Sequence, residues 1–299
     1  MKVNFECNLC KGTDGNTIPF RYKFNEKYLW AVKCSNCQLV SIWPRPTQQE
    51  IEEMYADDYF IGSDVKTHHM SVSYVELLSS GNYDQGIKEI KKYCNTGNIL
   101  DVGCATGNFL YILKNNGYNV KGIELSKFAS EFGIKNFGIE IINKPYNLEL
   151  LHHELPENYF DVILMGDVLE HFTNPTEAMD LTNKILKKNG VAVIHLPGTL
   201  NLISSKLAFF IYNIIGSQKT MTIPPYHLTE FNAKTIRAML TKCGFTKINI
   251  KEEIKHPSTI ALRGNALENL AKWSLQYVNY VLTKWFKVPG DRIIIEAYK

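Results

Sequence analysis

Asp101, Gly103, Ala105 and Gly107 lie in the stretch ILDVGCATGNFL, residues 99–110, where an apolar run ends in an acid and passes through small residues into a second apolar run. This is the pattern of a strand turning tightly into a helix, a corner suited to nucleotides. A dinucleotide fingerprint starting at Gly103 needs glycine at 105 and 108, and the sequence has Ala105 and Asn108. Asp101 adds an electrostatic objection, because a carboxylate beside the loop repels a pyrophosphate. It suits a cation. S-adenosylmethionine has no phosphate and carries a sulfonium and an ammonium group, and the small residues let backbone approach it closely. Glu124, 21 residues after Gly103, can accept hydrogen bonds from both hydroxyls of a ribose. Cys104, inside the loop, reads as a packing residue and not a nucleophile.

Four of the seven cysteines form two pairs, Cys7-x-x-Cys10 and Cys34-x-x-Cys37, with 23 residues between the pairs. In a reducing compartment such pairs read as metal ligands. Four thiolates saturate a tetrahedral zinc and leave no open position, so the predicted role is structural. Zinc ribbons often bind nucleic acid, which raises an RNA methyltransferase as an alternative. The basic excess of residues 1–45 is modest and unclustered, and the net charge of the chain is only +3, which argues against it.

Methyl transfer from a sulfonium requires in-line approach of a nucleophile, and positioning supplies much of the acceleration. A hydroxyl acceptor still gains from a base titrating near neutrality, and histidine suits that. Three histidines are candidates. His171 follows the fourth strand of the α/β pattern, His195 ends the fifth, and His227 closes a long connection. Ligands bind at that edge of such sheets.

The elements that must position these residues alternate. NILDVG (98–103), NVKGIEL (119–125), GIEII (138–142), YFDVILMGD (159–167) and VAVIHLP (191–197) read as strands. The helices between them carry clear signals. Ser126 is a candidate cap, and Asn174, Pro175 and Glu177 form a strong start for a helix that Gly190 is expected to end. Another helix is expected over 232–243, followed by strands INIKEEI and RIIIEAY. The predicted fold is therefore α/β, a Rossmann-like, seven-stranded, mostly parallel sheet with helices on both faces, plus a small N-terminal zinc-ribbon-like subdomain. The expected organisation is a four-cysteine zinc-binding segment over 1–45, a helical connector or cap over 46–95, and a main domain over 96–299 with insertions at 198–228 and 257–289. Tyr59 and Phe60 in the connector would help cover the site.

Both insertions hold apolar-aromatic stretches, LISSKLAFFIYNIIG (202–216) and WSLQYVNYVLTKWF (273–286). They would pack on the core or on each other, close as a lid over the acceptor, or form a homodimer surface. A shallow contact with a membrane surface or a lipid-linked substrate is a further reading. No run reaches the length of a membrane span and the first residues show no secretory signal, so the expected compartment is the cytoplasm.

The motifs LDVGCATGNF, GIELS, FDVILMGDVLEHF, LKKNGVAVIHLP and HLTEFNAKTIRAMLTKCGF resemble, in order and spacing, class I S-adenosylmethionine-dependent methyltransferases of the branch acting on small molecules. CNLC…CSNC followed by LVSIWPRPT is similar to a subset with a zinc-ribbon-like leader. The resemblance implies that Asp101, Gly103, Ala105 and Gly107 contact the methionine part of the cofactor and Glu124 its ribose. It puts Leu125 beside the adenine and Asn143 where an acid often meets the adenine amino group. Met165 to Asp167 would line the methyl-transfer side. Members often carry the Glu170-His171 pair near the cofactor, and His227 matches a related histidine. IPPY (223–226) lacks the polar first residue and the position of the motif used for amino-group methylation of DNA or protein glutamine, which argues against that chemistry. On the loop, the acid and the ordered motifs, the expected acceptor is a small molecule, methylated at oxygen. A metal-stabilised scaffold without turnover is the non-enzymatic alternative.

Overall fold

The computed structural model describes residues 2–54, 82–222, 226–260 and 265–299. Tyr59, Phe60 and most of IPPY lie outside them. The first strands are β1 (Lys2–Asn4), β2 (Asp14–Phe24), β3 (Lys27–Cys34) and β4 (Val40–Trp43). β2 and β3 form a hairpin whose two loop residues, Asn25 and Glu26, both have positive φ, the geometry that matches strand twist in a two-residue turn.

The main sheet comprises β5 (Asn98–Val102), β6 (Asn119–Ile123), β7 (Glu140–Ile142), β8 (Phe160–Gly166), β9 (Leu186–Pro197), β12 (Lys247–Glu253) and β13 (Arg292–Tyr298). Its order is β12-β13-β9-β8-β5-β6-β7, and only β13 runs against its neighbours. The seven-stranded, mostly parallel expectation is met. β5 and β8 are central, and Ile99, Leu100, Val102, Val162, Ile163 and Met165 are buried. Burial on both faces is why these segments read as nearly continuous apolar runs. The chain leaves β5 toward β6 on one side and reaches β8 on the other. In open sheets of this kind such a reversal is where a ligand crevice is expected, here at the C-terminal ends of β5 and β8.

The caps form as the sequence predicts. Ser126 accepts the Ala129 amide for helix Lys127–Phe137, and Asn174 with Pro175 starts helix Pro175–Ile185. Asn232 and Thr235 make a reciprocal box at helix Ala233–Lys242. Gly190 does not end its helix as expected. The helix stops at Ile185, Leu186 is already extended, and Gly190 sits inside β9. A Cβ there would lie 3.0 Å from the Lys187 carbonyl and 3.1 Å from that of Phe160, where the β8–β9 register shifts. The glycine marks a close backbone approach inside a strand.

The two insertions behave differently. Residues 198–228 include helix Ile203–Ile214 and then β10 (Lys219–Met221), which pairs parallel to β2. β11 (Thr229–Glu230) pairs with β4. Residues far along the chain thus complete the N-terminal sheet, and Phe5, Cys7 and Leu9 join the same apolar core as Met165, Met179 and Phe231. The second insertion contains helix Ala266–Phe286. Its inward face is polar: Gln276, Asn279 and Thr283 are buried. Gln276 Nε2 donates to Asp291 Oδ2 at 3.0 Å, and Asn279 Nδ2 donates to Ser204 Oγ at 2.8 Å. Its apolar residues face outward.

Candidate active site

The glycine loop is built by backbone constraints. Gly103 and Gly107 have φ of 76° and 72°, and the Gly103 and Cys104 amides donate to the Ile123 carbonyl at 2.8 and 3.1 Å. A Cβ on Gly103 would sit 2.8 Å from Val168 Cγ2, so the loop packs directly on the turn after β8. Ala105 also takes a left-handed φ, 49°, without being glycine. Such residues persist where surrounding structure over-determines them, often at functional sites. Burial pushes the Cys104 thiol well up, with Asp101 and Glu124 adding to it, which agrees with an inert packing residue.

Glu124 is buried and clamps this loop. Its Oε2 accepts the Ala105 amide at 2.9 Å and its Oε1 the Ser126 amide at 2.8 Å. Burial raises its carboxyl even so, against the lowering effect of those amides. Each oxygen keeps a lone pair for a further donor. Burial, with Glu124 nearby, raises Asp101 to about 7. Two carboxyls beside one glycine loop make a place that attracts cations and hydroxyl donors and repels phosphates.

Asn143 spends its amide nitrogen on the Glu124 and Leu125 carbonyls, at 2.8 and 2.9 Å, and so braces the backbone that carries the acid. Met165 is buried in the core beneath the strand end. Beyond it, Gly166 is exposed with open space where a Cβ would be, and Asp167 turns at φ 52°.

The three histidines divide into two groups. The Asp167 amide donates to the His195 carbonyl at 3.1 Å, and both Asp167 oxygens accept from Arg292 NH1, at 2.7 and 2.8 Å. Burial, then the Arg292 charge, lowers His195 and favours its neutral form. Arg292 is a functional candidate that the sequence does not reveal, since nothing local marks the first residue of β13 as the partner of an acid after β8. His171 and His227 lie together, ring centroids 5.1 Å apart. Burial opposes the charged form of His227. Glu230, 3.6 Å from its Nδ1, outweighs that with help from Glu170 and Asp167, and moves the imidazole up.

The four paired cysteines also converge. Cys7 and Cys37 sulfurs are 3.4 Å apart, Cys10 and Cys34 sulfurs 3.6 Å, and all four ligand atoms lie within 4.8 Å of one another. The two knuckles match. Lys11 donates its amide to the Cys7 carbonyl and Gln38 to that of Cys34, and both donors have positive φ. Burial opposes ionisation of Cys10, but the Gly12 amide and neighbouring thiols outweigh it and bring the group to about 7. Four sulfurs so placed can hold a tetrahedral cation. Asn8 Nδ2 donates to the Thr173 carbonyl at 2.8 Å, and Lys242 Nζ to that of Leu9, tying the knuckles to the main domain.

A Rossmann-like sheet carries an acid-flanked glycine loop after β5 and a second acid after β6. Residues 80–250 match the sequence model of the family described as "Methyltransferase domain", more than half of the chain, and the chain belongs to that family. The ubiquinone biosynthesis O-methyltransferase of Pelagibacter ubique is 30% identical over 157 residues, 52% of this chain and 59% of that protein. The enzyme of the same name from Haemophilus ducreyi is 27% identical over 163 residues, 52% of this chain and 66% of that protein. The chain thus matches under two thirds of these relatives' length. A Haemonchus contortus phosphoethanolamine N-methyltransferase 2 superposes with a TM-score of 0.53 at 14% identity, over 91% of this chain and 63% of that one, a likeness of fold alone.

Proposed function

We propose that the protein transfers a methyl group from S-adenosylmethionine to a hydroxyl oxygen of a small molecule. The observation that carries the reading is the pairing of Asp101 with Glu124 around a left-handed glycine loop at the sheet's crevice. In this reading Glu124 accepts the ribose hydroxyls, and Asp101 faces the ammonium of the methionine part. Gly103, Ala105 and Gly107 line the path between, and Leu125 flanks the adenine. Asn143 holds the Glu124–Leu125 backbone in shape. Asp167 and Gly166 border the methyl-transfer side, and His195, kept neutral, is suited to take the acceptor's proton. Oxygen as the acceptor is favoured by the name shared by the bacterial relatives. Cys7, Cys10, Cys34 and Cys37 hold a structural zinc.

One observation favours an apolar or lipid-linked acceptor. Helix Ala266–Phe286 turns Leu270, Trp285 and Phe286 to solvent, and Leu207, Phe210 and Ile214 of helix Ile203–Ile214 are exposed as well. Aliphatic and aromatic residues interspersed with Lys206, Lys272 and Lys284 suit a lipid surface.

Incubation with methyl-labelled S-adenosylmethionine and a cell metabolite extract tests the activity. Label is expected in a small-molecule fraction, and not with the Glu124→Ala variant. Labelling confined to RNA or protein, or none at all, would contradict the proposal.

A further inference from the structure

Glu170 stands out among the acids. It is 1% exposed, and neither carboxyl oxygen has a hydrogen-bond partner among the described residues. Leaving a buried carboxyl without donors is costly, and native structures rarely do so without a reason. The nearby groups are of types that can ligate a metal. One ligand atom each from Glu170, His171 and His227 lies within 4.8 Å of the others, and His171 Nε2 is 3.6 Å from Glu170 Oε1. A cation coordinated at about 2.0–2.2 Å needs the ligands slightly closer, which small side-chain rotations supply. Glu230 Oε1 stands 3.6 Å from His227 Nδ1. A metal-bound histidine commonly directs its other ring nitrogen to a carboxylate, and Glu230 is the acid placed beside His227.

The scaffold around the cluster is specific. The Leu228 amide donates to the Glu170 carbonyl at 2.8 Å, and the Leu228 carbonyl accepts the Ile42 amide at 3.0 Å. His227 is therefore held against Glu170 by β4 of the N-terminal sheet. Val168, two residues before Glu170, packs on Gly103 of the cofactor loop.

We propose that Glu170, His171 and His227, with Glu230 orienting His227, form a second metal site that takes one divalent cation. Two imidazoles and a carboxylate suit Mn²⁺, Co²⁺ or Zn²⁺ and leave coordination positions open, unlike the all-thiolate cluster. Its role rests on the methyltransferase reading. An acceptor hydroxyl bound there would pass its proton to neutral His195, the oxygen's lone pair would form the bond to the methyl carbon, and the carbon–sulfur pair would return to sulfur, releasing S-adenosylhomocysteine.

The test uses the full chain preloaded with one equivalent of zinc for the cysteines, then titrated with Mn²⁺ while free Mn²⁺ is followed by electron paramagnetic resonance. The expected result is one Mn²⁺ per chain in the micromolar range, weakened at least tenfold in Glu170→Gln and in His227→Ala. Should Glu170→Gln fail to fold by circular dichroism, His171→Ala replaces it. Absence of Mn²⁺ binding at several hundred micromolar, or equal binding by the folded variants, would overturn the site. S-adenosylhomocysteine binding in chelator, measured on the same samples, reports separately on the methyltransferase reading.

Discussion

At the scale of single residues, Asp101 carries the sharpest consequence. Its carboxyl is raised to about 7 by burial and by Glu124. A cationic ligand favours the carboxylate, so binding should release a proton near neutral pH, and affinity should fall as pH drops below about 7. Calorimetry of S-adenosylmethionine in buffers of different ionisation enthalpy reads that proton directly. The stability linkage has the opposite sense. An acid raised above its unfolded value of 3.8 binds more protons in the native state, so the free protein loses stability as pH rises from about 4 to 7. Asp101→Asn should therefore raise the Tm of the free protein at pH 8 while weakening the ligand, and a lowered Tm would contradict this assignment. Asp101 and Glu124 were legible because loop, acid and strand are close in sequence. The Arg292–Asp167 pair was not, since 125 positions separate its members. The isolation of Glu170 was also hidden, because burial without partners leaves no mark on composition.

At the scale of elements, the cysteine cluster does more than close two knuckles. β4 pairs with β11 and fixes residues 228–230, so the first 45 residues position His227 from a distance. Replacing Cys34 and Cys37 by Ser should lower Tm and raise hydrogen exchange in β4 and β11 before the main sheet responds, because β5 and β8 draw their stability from apolar burial. Uniform exchange across both sheets would show that the cluster lacks this local role. The helices and parallel strands could be read from caps and apolar periodicity. The mistaken stop at Gly190 has a physical cause: a glycine required for a tight strand contact looks, in sequence, like a helix terminator. The completion of the N-terminal sheet by β10 and β11 rests on long-range pairing, to which local patterns are blind.

At the scale of the whole molecule, the orientation of helix Ala266–Phe286 matters most. Of the roles open to its apolar stripe, core packing is not the one adopted: the polar stripe is buried and Trp285 is 80% exposed. An exposed apolar face of this kind marks an interaction surface. The chain should cosediment with vesicles containing anionic lipid, and Leu270→Ser with Trp285→Ser should reduce that severalfold while leaving Tm nearly unchanged, since exposed positions contribute within about 0.5 kcal/mol. Self-association abolished by the same substitutions, with no vesicle binding, would assign the face to a second copy instead. None of the described helices is long and apolar enough to cross a membrane. Binding of the methyl donor at the C-terminal ends of β5 and β8 is tested by a calorimetric titration with S-adenosylhomocysteine. One site per chain with micromolar affinity is expected, weakened about tenfold or more by Glu124→Ala, as for loss of hydrogen bonds to a charged acceptor. Absence of binding at millimolar ligand by folded protein, or unchanged affinity in the variant, would contradict it.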